Sequence, residues 1–294
     1  MTFQQQSDEE LLAHLETTGP ILPVELIDVC LARQESLTAP FLTILEASRL
    51  DDWQLASDAR WFRGGHAGKF LLAYQEAAAL PIFEQIYASA AAQDEALITW
   101  FGTDLAHFAE TAVVPLIRIL QTETEGIYHY GRAIAATTLK IIALQVPATR
   151  AAVLAALRGQ LPASPTAVSA EIVADEMWTN IIVELADLQD KESQATIQAL
   201  YAADLVETEM LPLAEYQAAF GAAFALPPEV DETFDIYAFY DELRQQENQR
   251  MNMSGRRNLL RRQGYIPPEP DPQPYANRFS RWFNERLIKG SAKE

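Results

Sequence analysis

Three residues that could bind a metal, Asp104, His107 and Glu110, are spaced three apart in the segment LITWFGTDLAHFAE, which begins at Leu97. If this segment is one helix, the spacing places His107 beside both carboxylates. A di-iron bundle repeats Glu-x-x-His on two helices and adds glutamates from two more, and no second copy of the motif follows in this chain. The spacing therefore favours a polar helix edge, and we assign no metal site.

The stretch RGGHAGKF, Arg63 to Phe70, has the glycines and the lysine of a phosphate-binding loop. A P-loop needs four residues between its first glycine and Gly-Lys, and then a serine or threonine. Here Gly64 and Gly68 enclose three residues, Phe70 follows the lysine, and no strand precedes the stretch. We predict a glycine-rich break before a helix, with His66 near the helix start.

The sequence contains no recognisable set of residues for nucleophilic catalysis. No serine occupies a G-x-S-x-G elbow. The single cysteine, Cys30, has apolar neighbours, which indicates a buried thiol and excludes an internal disulfide and a multi-cysteine zinc site. The paired acids Asp51–Asp52 and Glu207–Glu209 are interpreted as solvated charges. We therefore assign no catalytic residue and no cofactor.

Composition and charge limit the classes of function. An apolar fraction of 49% supports a real core, and no run of about 18 uncharged apolar residues occurs that could span a membrane. The first residues lack the pattern of a signal peptide, so we expect a cytoplasmic protein. The net charge of −19 is uneven: residues 244–294 carry 11 basic and 5 acidic residues, or +6, which leaves −25 for residues 1–243. The body should repel nucleic acid, whereas the C-terminal arm should attract anions.

Helical segments of similar design recur along the chain. In TAPFLTILE, LPIFEQIYA and VPLIRILQ, a proline precedes apolar residues spaced for one helix face. Proline costs about 3 kcal/mol inside a helix but is tolerated at its first position, so Pro40, Pro81 and Pro115 are predicted to begin helices. A helical segment precedes each of them, and two more pairs follow. Such pairs bury their apolar faces by stacking, which predicts an all-α, HEAT-like solenoid over residues 1–226.

Two of these phrases, FLLAYQEAAALPIF and FGTDLAHFAETAVVPLIRIL, resemble an uncharacterised bacterial family, domain of unknown function 1186. The resemblance covers roughly residues 20 to 145 and rests on spacing and apolar pattern. Ala106 and Ala109 depart from it, because the family has more polar residues there. The resemblance implies a helical fold, and it carries over no catalytic residue because the family has no known reaction.

The C-terminal region differs from the body in charge and in proline content. FDIYAFYDELRQQ predicts an aromatic helix over residues 227–250 that caps the repeats, and residues 251–294 form a basic arm. In the arm, five prolines between residues 267 and 274 predict an extended spacer, and YANRFSRWFNERLIK predicts an amphipathic helix with an aromatic stripe. The predicted partner-binding residues are Arg256, Arg257, Arg261, Arg262, Tyr275, Arg278, Phe279, Arg281, Trp282 and Phe283.

These patterns favour a non-catalytic scaffold or assembly factor that binds another protein through a concave repeat surface and the basic arm. One alternative is a nucleic-acid or ribosome-associated binder acting through the arm, which predicts steep salt dependence. Another is a HEAT-repeat, lyase-like enzyme with convergent polar groups near His66, His107 or His129. A further alternative is that the arm folds back on the acidic body of its own chain.

Overall fold

The computed structural model describes residues 2–49, 62–89, 92–122, 130–165, 176–221 and 234–262. All regular secondary structure in these ranges is helical, which confirms the predicted all-α class. The helices are α1 Asp8–Thr17, α2 Val24–Ala32, α3 Gln34–Ser48, α4 Phe62–Ala73, α5 Leu80–Tyr87, α6 Ala92–Phe101, α7 Glu110–Leu120, α8 Tyr130–Gln145, α9 Arg150–Arg158, α10 Glu176–Asp187, α11 Gln194–Ala202, α12 Leu213–Ala218 and α13 Ile236–Arg262. Short 3-10 segments occur at Phe3–Gln5, Ala77–Ala79, Asp104–Phe108 and Pro147–Thr149.

Within the described ranges the chain forms two compact units. Unit 1 contains α1 to α4 and α13, so it joins the beginning of the chain to a helix near its end. Unit 2 contains α5 to α12. Among the helices of the described part, none combines the length and the apolar character needed to cross a bilayer.

Helix α4 is the centre of unit 1. Every residue from Gly64 to Leu72 is buried, and the helix packs against α1, α2, α3 and α13. The predicted break at RGGHAGKF is therefore wrong, because this stretch is helical throughout. Glycine costs a helix up to about 1 kcal/mol per residue, but a helix that is covered on every side recovers this cost through burial.

Helix α8 has the corresponding position in unit 2. Every residue from Ala133 to Ala143 is buried, and the helix packs against α5, α6, α7, α9 and α10. Near its start, a Cβ atom added to Gly131 would lie 1.9 Å from the carbonyl oxygen of Tyr87. The contact between α5 and α8 therefore requires glycine at this position.

Only one of the three prolines begins a helix as predicted. Pro81 is the second residue of α5, which confirms its assignment, whereas Pro40 lies inside α3 and Pro115 inside α7. The prediction was wrong for these two because it considered only the local cost of proline. The residue three positions before each proline is buried, Leu37 in α3 and Ala112 in α7, and the packing of these side chains keeps the preceding turn helical.

The segment from Leu97 to Glu110 is not one helix, so that prediction is also wrong. Helix α6 ends at Phe101, and Gly102 follows with a φ of 53°. After the 3-10 segment, Ala109 has a φ of 50°, and α7 then begins. These two positive φ angles interrupt the 3.6-residue period on which the prediction relied.

A residue with a positive φ angle also follows the ends of α4, α10 and α11. Gln75, Gln189 and Asp204 have φ angles of 52°, 49° and 57°. In each case the next residue donates its amide to a carbonyl five residues back, as in the bond of 3.0 Å from Leu205 to Leu200. This is the Schellman motif, which usually has glycine at the left-handed position. Replacing these residues with glycine should therefore relieve backbone strain.

Candidate functional site

The fully buried side chain of His66 links three segments of unit 1. Its Nε2 lies 2.7 Å from the carbonyl oxygen of Gly19, in the loop between α1 and α2, and its Nδ1 lies 2.6 Å from the hydroxyl of Tyr240 in α13. A carbonyl only accepts, so Nε2 carries the proton and Nδ1 accepts from the Tyr240 hydroxyl. Burial lowers the pKa of His66 to about 4, against a smaller opposing effect of the Gly19 carbonyl. The imidazole is therefore neutral at physiological pH.

Four further residues of α13 attach its first turns to unit 1. Ile236 and Leu243 are buried, as is Tyr240, so one face of the helix is covered. Arg244 donates to the carbonyl of Leu22 over 2.9 Å, and the exposed Tyr237 donates to Asp28 of α2 over 2.6 Å. Apolar burial and directed hydrogen bonds together fix the position of α13 on unit 1.

The aromatic residues of this region also cover a buried lysine. Lys69 of α4 is 1% exposed. Its Nζ lies 3.6 Å from the ring centroid of Phe239 and 5.4 Å from that of Phe234. Cation–π attraction of this kind is strongest when the cation is removed from water. The two phenylalanines of FDIYAFYDELRQQ, Phe234 and Phe239, thus contact the ammonium group of Lys69 in α4.

Cys30 lies in unit 1 as a buried thiol, as the sequence predicted. Burial, with a smaller effect of Asp8, raises the pKa of this thiol to about 12 against the opposing charge of Arg33. The thiolate is the nucleophilic form of cysteine, so Cys30 is protonated and unreactive at neutral pH. Because His66 is bonded at both nitrogens and Cys30 is held as a thiol, the two do not form a nucleophile–base pair.

Unit 2 contains a buried ion cluster between α8 and α10. Lys140 Nζ lies 2.8 Å from Glu184 and 2.7 Å from Asp187, with 3% of the lysine side chain exposed. Glu184 also accepts from the Thr137 hydroxyl over 2.5 Å. Burial alone lowers the pKa of Lys140, but the two carboxylates outweigh it and hold the pKa above its ordinary value. A permanently charged lysine that bonds both carboxylates has a structural role.

The residues considered for a metal site do not share one helix. Asp104 and His107 lie in the 3-10 segment, and Glu110 is the first residue of α7. Burial lowers the pKa of the half-buried His107, against an opposing effect of Asp104. In the ranges that the structure describes, no group of three or more histidine, cysteine or acidic side chains is arranged to bind a metal.

Among the residues proposed for a lyase-like site, His66 belongs to unit 1 and His107 to unit 2. His129 lies outside the described residues.

The predicted partner-binding residues fall into two groups. Arg256, Arg257, Arg261 and Arg262 lie in the last turns of α13, which continues past residue 251, where the sequence placed the start of the arm. The other six lie outside the described residues: Tyr275, Arg278, Phe279, Arg281, Trp282 and Phe283.

Sequence reasoning missed the residues that anchor α13, His66, Lys69 and Tyr240. The only available signal was a lysine and a histidine within an otherwise apolar segment, together with a separate aromatic-rich segment. Comparisons with protein-family models, curated proteins and solved structures gave no match.

Proposed function

We propose that this protein is a non-catalytic scaffold or assembly factor with a HEAT-like helical-repeat body, whose basic C-terminal arm binds another protein. The supporting observation is the anchoring of α13. Its first turns are buried in unit 1, and the same helix continues to Arg262. A partner bound at the arginine-rich end would thus be connected to unit 1 by a continuous helix.

The length of α13 separates its anchored part from its basic part. From Leu243 to Arg262 the helix rises by about 28 Å, at 1.5 Å per residue. Cations stabilise the last turn of a helix through its dipole, which accounts for Arg261 and Arg262. Arg256 and Arg257 lie more than one turn earlier, where this effect has weakened. Their clustering instead favours an anionic partner surface.

The chemistry of the buried polar groups also favours binding over catalysis. His66 and Lys140 bond groups within their own units, and Cys30 is held as a thiol. The resemblance to the domain of unknown function 1186 family belongs to the same proposal, since stacked helical pairs provide broad surfaces for proteins.

Affinity capture from native lysate tests this proposal with the full-length protein as bait. The wild type is compared with R256Q/R257Q/R261Q/R262Q, which removes four charges and keeps polar side chains. Y237F is the matched control, because it alters an exposed hydrogen bond of α13 and no arm charge. We expect a specific protein partner that the control retains and the arginine variant loses at least tenfold, or about 1.4 kcal/mol.

Nuclease treatment during capture separates the proposal from its main alternative. A protein partner should remain bound after ribonuclease and deoxyribonuclease. Loss of all captured material on nuclease treatment would instead identify a nucleic-acid binder. Equal capture by the wild type and the arginine variant would remove the arm from the binding function.

A further inference from the structure

Helix α2 and the first turns of α13 form one exposed surface on unit 1. The Tyr237 hydroxyl of α13 donates to Asp28 of α2 over 2.6 Å. Arg244, two turns later in α13, donates to the carbonyl of Leu22, just before α2, over 2.9 Å. The later residue of α13 thus bonds the earlier residue near α2, so the two helices lie side by side and run in opposite directions.

Two exposed apolar side chains lie on this surface. Val24 is 41% exposed and Tyr237 is 36% exposed, and among the described residues of unit 1 no other large apolar side chain is as exposed. Val24 lies one turn before Asp28 on the same face of α2, and Asp28 accepts the Tyr237 hydroxyl. The valine and the tyrosine therefore flank the same carboxylate. Apolar side chains exposed singly are normal, whereas a group of them with a polar rim indicates an interaction site.

Three exposed carboxylates surround Tyr237. Asp28 bonds its hydroxyl, Asp235 accepts its backbone amide over 2.8 Å, and Asp241 lies one turn further along α13. Asp241 pairs with Arg244, whereas no ion pair in the described ranges includes Asp28 or Asp235. The hydrogen bond to Asp28, with smaller effects of burial and of Asp235, raises the pKa of Tyr237 to about 12. We call this site the Tyr237 surface, and it consists of Val24, Asp28, Asp235, Tyr237 and Asp241.

The Tyr237 surface matches the chemistry of an arginine side chain. Long basic side chains place their methylene stems along apolar surface while the charged head stays in water. A guanidinium group stacks on the face of a tyrosine ring and pairs with a carboxylate through two hydrogen bonds. The three carboxylates carry three negative charges against the one positive charge of Arg244, a net charge of −2. The same charge repels the phosphates of nucleic acid.

We propose that the Tyr237 surface binds a basic, arginine-containing segment of a partner protein, with an arginine stem on Val24 and Tyr237 and guanidinium groups on the surrounding carboxylates. The surface is open and extends over two helices, so a segment that spans it buries more area than a single small cation. This inference goes beyond the proposed function, because it concerns the anchored end of α13 and a cationic ligand. The arm arginines favour an anionic one.

Fluorescence anisotropy with a labelled synthetic peptide tests this inference on the full-length protein. The probe peptide alternates glycine with arginine over four repeats, and its counterpart has glutamate in place of arginine. The salt concentration is about 0.15 M, which screens attraction by distant charges of the acidic body. We expect the wild type to bind the arginine peptide about tenfold or more tightly than it binds the glutamate peptide or free argininamide.

Two variants remove the two parts of the surface. Y237A removes the exposed ring, and D28N/D241N removes two charges and keeps side chains of similar size. We expect each to weaken binding of the arginine peptide by about tenfold or more. E9Q/E35Q is the control for charge, because it neutralises two other exposed acids of unit 1. Y237F is the control for the ring, because it removes only the hydroxyl. Both controls should bind the peptide as the wild type does.

Urea unfolding of each variant separates a lost surface from a lost fold. If Y237A loosens α13, V24S removes the other apolar side chain without altering that helix, and it should also weaken binding of the arginine peptide.

The inference is overturned if the wild type binds the glutamate peptide or argininamide as tightly as the arginine peptide, or if folded D28N/D241N binds as the wild type does. An equal loss in E9Q/E35Q would also overturn it, because the attraction would then belong to the acidic body as a whole. Self-association of the wild type that D28N/D241N abolishes in sedimentation velocity would assign the surface to a second copy and overturn it as well. None of these results bears on capture through the arm arginines, which tests the proposed function separately.

Discussion

Replacing Tyr240 with phenylalanine tests the anchoring of α13 with the loss of one oxygen atom. The Tyr240 hydroxyl donates to His66 Nδ1 over 2.6 Å, and both side chains are fully buried. The substitution leaves a buried acceptor without a donor, which costs about 1–3 kcal/mol of the free energy of unfolding. The matched control is Y237F, since its hydroxyl is exposed and bonds Asp28. We expect a loss below about 1 kcal/mol there.

Urea unfolding followed by circular dichroism measures these differences. The double variant with His66 replaced by leucine completes a mutant cycle, and we expect a coupling energy of about 0.5–3 kcal/mol between His66 and Tyr240. A coupling near zero, or equal losses in Y240F and Y237F, would refute the claim that the buried hydrogen bond anchors α13.

The pH dependence of stability gives a second signature of the same contact. The folded-state pKa of His66 is lowered from 6.5 to about 4, so the unfolded state binds a proton more readily than the folded state between these values. The free energy of unfolding therefore falls as pH falls from 6.5 to 4, by up to about 3 kcal/mol from this residue. His66→Leu should lose that part of the slope. An unchanged slope would show that His66 does not titrate as proposed.

Three further substitutions test unit 2 by urea unfolding. Gly131→Ala should lower the free energy of unfolding by about 1–3 kcal/mol through the clash with α5. Gly159→Ala is the control, because its added Cβ would meet atoms no nearer than 3.4 Å and should cost less than about 0.5 kcal/mol. Equal losses would contradict the close approach of α5 and α8. Lys140→Met should cost about 3–5 kcal/mol by leaving buried carboxylates uncompensated, and adding Glu184→Leu should recover part of it; no recovery would argue against the ion cluster. Asp204→Gly should stabilise by up to about 1 kcal/mol, because relief of its positive φ outweighs the greater unfolded-state entropy of glycine, and a loss would show that the aspartate side chain has another role.

The helical class followed from the sequence because apolar periodicity is a local property. The helical segments of the predicted pairs correspond to helices of the structure, from α2 and α3 to α10 and α11, except that Leu97–Glu110 is divided between α6, a 3-10 segment and the first residue of α7. The exact residue at which each helix begins was harder to predict from the sequence. Pro40 and Pro115 lie inside helices because buried residues such as Leu37 stabilise the preceding turn, and this contribution comes from other parts of the chain.

The residues that anchor α13 were not predictable from local patterns. His66 and Tyr240 are separated by 174 positions, and no periodicity connects residues at such a distance. The glycines around His66 indicated a loop by their propensity, whereas the structure places them in a helix that is buried along its length. Long-range packing outweighed local preference there, as it did at the prolines.

Hydrogen–deuterium exchange along α13, measured in the full-length protein before and after addition of the captured partner, tests whether the helix is anchored in unit 1 by its first turns and binds a partner at its arginine-rich end. We expect slow exchange over residues 236–243 in both states, because these turns are anchored in unit 1. Residues 248–262, which contain the arginine cluster, should gain protection when the partner is bound. Loss of protection over residues 236–243 on binding, or no added protection over residues 248–262, would contradict this mode of binding.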